Sequence, residues 1–221
     1  MTTDQTAQND DLFLSSLVLA LRPDQPGFLR DRVARVTDQL FLAGAIEFDR
    51  DTMSELLSEW DEAGITHYLA VHREFDAAEY IERHSTIEVI HIGVDDDLGR
   101  RDNAWFDAIR EVSDTILSDP DHKLVVTCYL GVNRGPSAGV AILLAQGWEL
   151  LPALRAVRSA RPIANMVYAP DAARWWSERN GGTAQDALAA FLEVHRWFER
   201  NPLDAGWVIR NIYASARGPF Y

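Results

Sequence analysis

The apolar positions of this chain fall into short continuous runs and longer periodic stretches, and the two patterns predict different elements. Residues 38–44, Asp-Gln-Leu-Phe-Leu-Ala-Gly, form a brief apolar run closed by glycine, which predicts a first strand. Residues 52–63 space Met53, Leu56, Leu57 and Trp60 as one helical face, behind Asp51 as N-cap and ahead of Gly64. Residues 65–71 are short and β-rich, predicting a second strand, and residues 88–94 lead as a third into Asp95-Asp96-Asp97. An apolar run, residues 123–126, predicts a buried strand that delivers Cys128 at its end. Beyond Gly135-Pro136, residues 137–146 read as an apolar helix.

Downstream, residues 171–179, 183–200 and 203–217 have helical spacing, broken by Asn180-Gly181-Gly182 and Asn201-Pro202. Thr183-Ala184-Gln185-Asp186 offers an N-cap to the longest of them. Trp175, Trp176, Trp197 and Trp207 are expected to pack this extension onto its domain. At the other end, residues 1–9 are polar and residues 12–21 predict an amphipathic helix stopping at Arg22-Pro23. That stretch is half of the roughly 20 residues a bilayer requires, and it follows acidic rather than basic residues.

Composition narrows the partners. The 221 residues, 47% hydrophobic, suffice to bury a core. With 21 basic and 34 acidic residues the net charge is −13, so nucleic acid and anionic membranes are not expected partners. A single cysteine allows no internal disulfide and suits a reducing, cytoplasmic setting. The six histidines are scattered and no metal-ligand spacing occurs, so neither metal nor cofactor is expected.

That one cysteine carries the chemistry. In Cys128-Tyr129-Leu130-Gly131-Val132-Asn133-Arg134 five residues separate a thiol at a strand end from an arginine at a helix start. The backbone amides of Tyr129, Leu130, Gly131, Val132, Asn133 and Arg134 are then expected to point inward at the positive end of the helix dipole. Such a cradle binds a tetrahedral dianion and favours a thiolate at its centre. A fixed arginine clamps two of the anion's oxygens.

These residues resemble the Cys-x5-Arg signature of the protein tyrosine phosphatase superfamily, most closely its dual-specificity branch. The resemblance extends over residues 33–165 and includes Gly64-Ile65-Thr66-His67 and Arg161-Pro162. It implies an α/β fold: a central, mostly parallel sheet of about four to five strands flanked by helices, with residues 1–32 as tail and N-terminal helix and residues 166–221 as a helical extension packed on the catalytic domain. It also implies a general acid on a loop about thirty residues before the cysteine. Matching Ile92-Gly93-Val94-Asp95-Asp96 to the family's Ile-Pro-Val-Glu-Asp pattern selects Asp96, with Asp95 and Asp97 as the neighbours in register and Asp102 the next candidate.

The implied activity is metal-independent hydrolysis of a phosphomonoester through a cysteinyl-phosphate. Cys128 is the expected nucleophile, Arg134 the clamp and Asp96 the acid. Loop lysines, typical of the superfamily's phosphoinositide phosphatases, are missing here, which favours a phosphorylated protein or small phosphomonoester as substrate. Three positions depart from the pattern: Thr127 replaces a histidine, Gly135 replaces a serine or threonine, and Asn165 comes two residues early. A phosphate-recognising pseudophosphatase module is therefore the alternative reading.

Overall fold

The structure is a computed structural model and describes residues 33–45, 50–73, 77–204, 206, 208–210 and 212. The expected helix at 12–21, Trp207 and the end of the last expected helix lie outside the described residues.

The described strands are β1 (Ala34–Arg35), β2 (Leu40–Gly44), β3 (His67–His72), β4 (Glu88–Val94) and β5 (Leu124–Cys128). They form one sheet in the order β1-β2-β5-β3-β4, with β1 antiparallel and every other pairing parallel. The sheet is the α/β arrangement expected. β2, β5 and β3 are buried at every position, which is why their sequences are apolar runs rather than alternations. β2 to β5 each start two or fewer residues from the predicted place, and β1 has no predicted counterpart. β2 begins only at Leu40 because the Val36 and Thr37 amides bond back to the Leu40 carbonyl and turn the chain there.

The helices among the described residues are α1 (Arg50–Ala63), α2 (Ala78–His84), α3 (Asn103–Leu117), α4 (Arg134–Ala145), α5 (Leu150–Ala160), α6 (Ala169–Arg179) and α7 (Ala184–Arg200), with residues 206, 208–210 and 212 in a further helical stretch. The two-residue period of the strands divides the core. Phe41, Ala43, Tyr68, Ala70 and Val125 face α1 and α2, meeting Met53, Trp60 and Ile81. Leu40, Leu42, Leu69, Val126 and Cys128 belong to the opposite core, with α3 to α7. Cys128 is thereby turned toward the helix that follows it.

Several elements differ from expectation: α1 begins at Arg50, so Asp51 lies within it and is not its N-cap, and α2 is not among the predicted elements. α3 has no predicted counterpart, although Trp105, Phe106, Ile109 and Ile116 make one buried face and Asp102 caps it by accepting from the Trp105 amide at 3.1 Å. α4 starts at Arg134, three residues before the predicted start at Ser137. Proline costs nothing in a first helical turn, where no intrahelical partner exists for its missing N–H, and the Ser137 amide already bonds the Asn133 carbonyl at 2.9 Å. Of the tryptophans expected to pack the extension, Trp175 is fully buried, 5.5 Å from Phe106 between ring centroids, Trp197 is buried and Trp176 is half-buried. Thr183 and Asp186 form the capping box at the head of α7.

Candidate active site

The loop from Cys128 to Arg134 joins the middle strand of the sheet to its most buried helix. Register places Cys128 beside Gly44 of β2, and the Ala45 amide donates to the Cys128 carbonyl at 2.9 Å, tying the loop's first residue to the neighbouring strand. Every residue of α4 from Arg134 to Leu144 is buried. The loop is thus braced at both ends by core.

Gly131 is required inside it. Its φ is +64°, in the left-handed region glycine adopts without cost. Its amide donates to the Cys128 carbonyl at 3.2 Å, closing a turn, so this one of the six amides expected to face inward is also bonded within the loop. Behind it lies Arg161, whose Nε donates to the Gly131 carbonyl at 2.6 Å and whose Nη2 donates to that of Leu130 at 3.3 Å. These bonds draw two loop carbonyls away from the cavity side. The Asn165 amide takes the Val132 carbonyl at 2.7 Å.

Arg134 is 2% exposed. One terminal nitrogen donates to the Val94 carbonyl at 2.8 Å, and Nε lies 3.5 Å from Asp96 Oδ2. The other oxygen of Asp96 accepts from Asn133 Nδ2 at 2.7 Å and from the Tyr168 hydroxyl at 2.8 Å. Asn133 is itself pinned, accepting the Val167 amide at 2.7 Å through Oδ1. Burial, then the hydrogen bond and charge of Asp96, push the Tyr168 phenol up to about 12.

Of the three consecutive aspartates, Asp96 lines the cavity with Cys128 and Arg134. Asp95 pairs with Arg73 at 3.3 Å, and Asp97 pairs with Arg101, both outside it. Asp102 is occupied as the α3 cap. The cavity measures about 300 Å³. Among the described residues, no cluster of three or more His, Cys, Asp or Glu could hold a metal ion, and no helix is long and apolar enough to cross a membrane.

The departures from the resembled pattern have local reasons. A Cβ at Gly135 would lie 3.2 Å from the Cys128 amide nitrogen, a tight approach to backbone, and in ordinary contact with its Sγ at 3.5 Å. Ser137 Oγ accepts from the Tyr168 amide at 3.2 Å, joining α4 to α6. Asn165, though early in sequence, lines the cavity. Thr127 is fully buried, and its hydroxyl has no hydrogen-bond partner among the described residues.

Tyr168, Val167 and Ile209 carry no sequence signal for this site and reach it from distant elements, whereas Leu98 comes with the Asp96 loop and Arg161 with the Arg161-Pro162 landmark. Only helical spacing of Val208 and Ile212 hints that the last segment has a buried side.

The fold is that of the dual-specificity phosphatases in the protein tyrosine phosphatase superfamily. Human DUSP28 superposes with a TM-score of 0.55 at 19% identity, over 67% of this chain and 95% of that one. PTPMT1, solved in complex with PI(5)P, gives 0.56 at 12% identity, over 67% and 97%. Human tyrosine phosphatase-like serine/threonine/tyrosine-interacting protein gives 0.52 at 16% identity, over 69% and 97%. No family model and no curated protein matches the sequence.

Proposed function

We propose that this chain hydrolyses phosphomonoesters through a covalent intermediate on Cys128, as a cysteine-dependent phosphatase of the tyrosine or dual-specificity type that needs no metal. The observation that carries this reading is the convergence of Cys128, Arg134 and Asp96 on one cavity at the head of a buried helix.

In the first step the Cys128 thiolate attacks phosphorus, an S–P bond forms and the P–O bond to the leaving group breaks. Asp96, protonated, gives its proton to that departing oxygen. Arg134 and the inward amides of Tyr129 to Arg134 hold the equatorial oxygens as charge builds on them. In the second step Asp96, now a carboxylate, takes a proton from water as water attacks phosphorus. The S–P bond breaks, inorganic phosphate leaves and the thiolate returns. Asn133 and Tyr168 keep the Asp96 carboxyl turned toward Arg134 in both steps.

The uncharged loop side chains support a phosphoprotein or a small phosphomonoester as substrate. Hydrolysis of an aryl phosphate in the presence of a chelator tests the reading. Turnover that disappears in Cys128→Ser, while phosphate or vanadate still binds, is the expected result. Arg134→Lys is expected to be severely impaired, because a point charge cannot replace the guanidinium fork. Near-wild-type turnover by Cys128→Ser would end the cysteine mechanism. The second reading, a phosphate-binding module with little turnover, is favoured by Gly135 and by the engagement of Ser137 with Tyr168. It predicts tight oxyanion binding and no hydrolysis by the unaltered chain.

A further inference from the structure

The C-terminal segment reaches back to the phosphate loop. Val208 and Ile212 are buried in a small apolar cluster with Val132 of the loop and Ile163, apart from both sheet cores. The Val208 amide bonds the Asp204 carbonyl at 3.0 Å, so the segment arrives as helix. Val208 and Ile212, four residues apart, share its inner face, and Ile209 between them is 37% exposed and lines the cavity. Leu98 lines it as well, on the loop after Asp96. It is 68% exposed and holds a φ of +57°. That conformation is unfavourable for leucine, and it is kept while the Leu98 amide donates to the Tyr168 hydroxyl at 3.1 Å. Arg210, the cation next in sequence to Ile209, turns back toward Gly206 instead of into the cavity. Among the described residues lining the cavity, Arg134 is thus the only cation and Asp96 the only anion.

We propose that Ile209 and Leu98 form the apolar flanks of the entrance and make the site select phosphomonoesters with an aromatic or otherwise apolar leaving group over those with a hydroxyl-rich or charged one. A leaving group between these two side chains removes apolar surface from water on both sides, which a glycerol or a further phosphate cannot match. Ile209 is a specificity residue in this account: it touches the group that leaves and not the phosphoryl group.

The inference rests on the phosphatase reading for its meaning but is tested by binding alone. In the full chain carrying Cys128→Ser, calorimetry compares 1-naphthyl phosphate, β-glycerophosphate and inorganic phosphate. Naphthyl phosphate is expected to bind tightest. Ile209→Ala is expected to lower the ratio of naphthyl phosphate to inorganic phosphate affinity about tenfold, and Ile209→Leu to retain most of it. Leu98→Ala, at an exposed position that tolerates truncation, is expected to lower the same ratio and provides the measurement should Ile209→Ala fail to fold. An unchanged ratio in Ile209→Ala and Leu98→Ala, or no preference for the naphthyl ester before either change, overturns the proposal. A chain that binds with this preference yet hydrolyses nothing keeps the proposal and loses the phosphatase reading. A chain that hydrolyses naphthyl and glycerol phosphates equally well, with the binding ratio unmoved, does the reverse.

Discussion

Arg161 holds Gly131 from behind: its guanidinium donates to the Gly131 carbonyl at 2.6 Å and fills the space a Cβ on Gly131 would occupy. The glycine's left-handed backbone and the arginine's position are therefore one constraint. Gly131→Ala is expected to cost about 1–3 kcal/mol of stability, from the positive φ and the overlap together. Oxyanion binding is expected to weaken more than stability does, since the loop must deform. Denaturant titration beside phosphate titration checks both, and an alanine variant with unchanged phosphate affinity would show that the loop's shape does not depend on this residue.

The three aspartates after β4 are separated by what each one touches. Asp96→Asn is expected to slow hydrolysis of phosphotyrosine about 10²–10⁴-fold, the usual worth of a positioned acid, and to slow phosphoryl transfer from an activated nitrophenyl ester much less. Asp95→Asn loses a surface ion pair with Arg73, and Asp97→Asn one with Arg101, whose side chain is mostly buried; neither aspartate lines the cavity, so their effects are expected to be alike for both esters. Leaving-group dependence in Asp95→Asn or Asp97→Asn, and none in Asp96→Asn, would move the acid to that neighbour.

Tyr168 gives a test through pH. Its phenol is raised from an ordinary value of 10.0 to about 12, so it stays neutral and goes on donating to Asp96 throughout an assay between pH 5 and about pH 9. On the proposed mechanism the pH profile is bell-shaped, and the phenol contributes neither limb in that range. Tyr168→Phe is expected to keep both limbs while lowering the plateau, because it removes a positioning bond and no titrating group. Loss of the basic limb in Tyr168→Phe would assign that limb to the phenol.

Away from the site, Asp107 of α3 accepts from Arg179 Nε at 2.8 Å and Trp175 Nε1 at 2.9 Å, both on α6. The bond from Arg179 is the main reason its carboxyl is held below the ordinary 3.8. A carboxyl lowered in the folded state adds stability that is complete above its unfolded value and fades as the pH falls through its folded value. Asp107→Asn is accordingly expected to be less stable than the unaltered chain at pH 7, with the gap closing below about pH 4. Urea midpoints at several pH values measure this, and a gap that persists undiminished in acid would mean that packing, not charge, is responsible.

The central strands are legible in the sequence because burial on both faces leaves apolar runs such as residues 40–44 and 124–128 that have few other readings. Cys128 and Arg134 are legible because their relation is local, set by one loop. α3 escapes notice because Asp107, Arg110, Glu111 and Asp114 interrupt its apolar positions in sequence. The surroundings of Asp96 escape for a different reason. Asn133 lies 37 residues away and Tyr168 lies 72, and no period or propensity encodes which distant side chain will complete a hydrogen-bond network. Ile209 belongs with them: its helix is readable, but the cavity it lines is not.

The apolar cluster beneath the Cys128–Arg134 loop also bears on the order of events at the ribosome. Val208 and Ile212 are made about eighty residues after Cys128, so a nascent chain carries its complete sheet and its thiol well before the residues that support Val132 have left the exit tunnel. During that interval the cysteine would sit in a loop open on one side. Synthesis itself would then impose a delay between folding of the sheet and completion of the pocket.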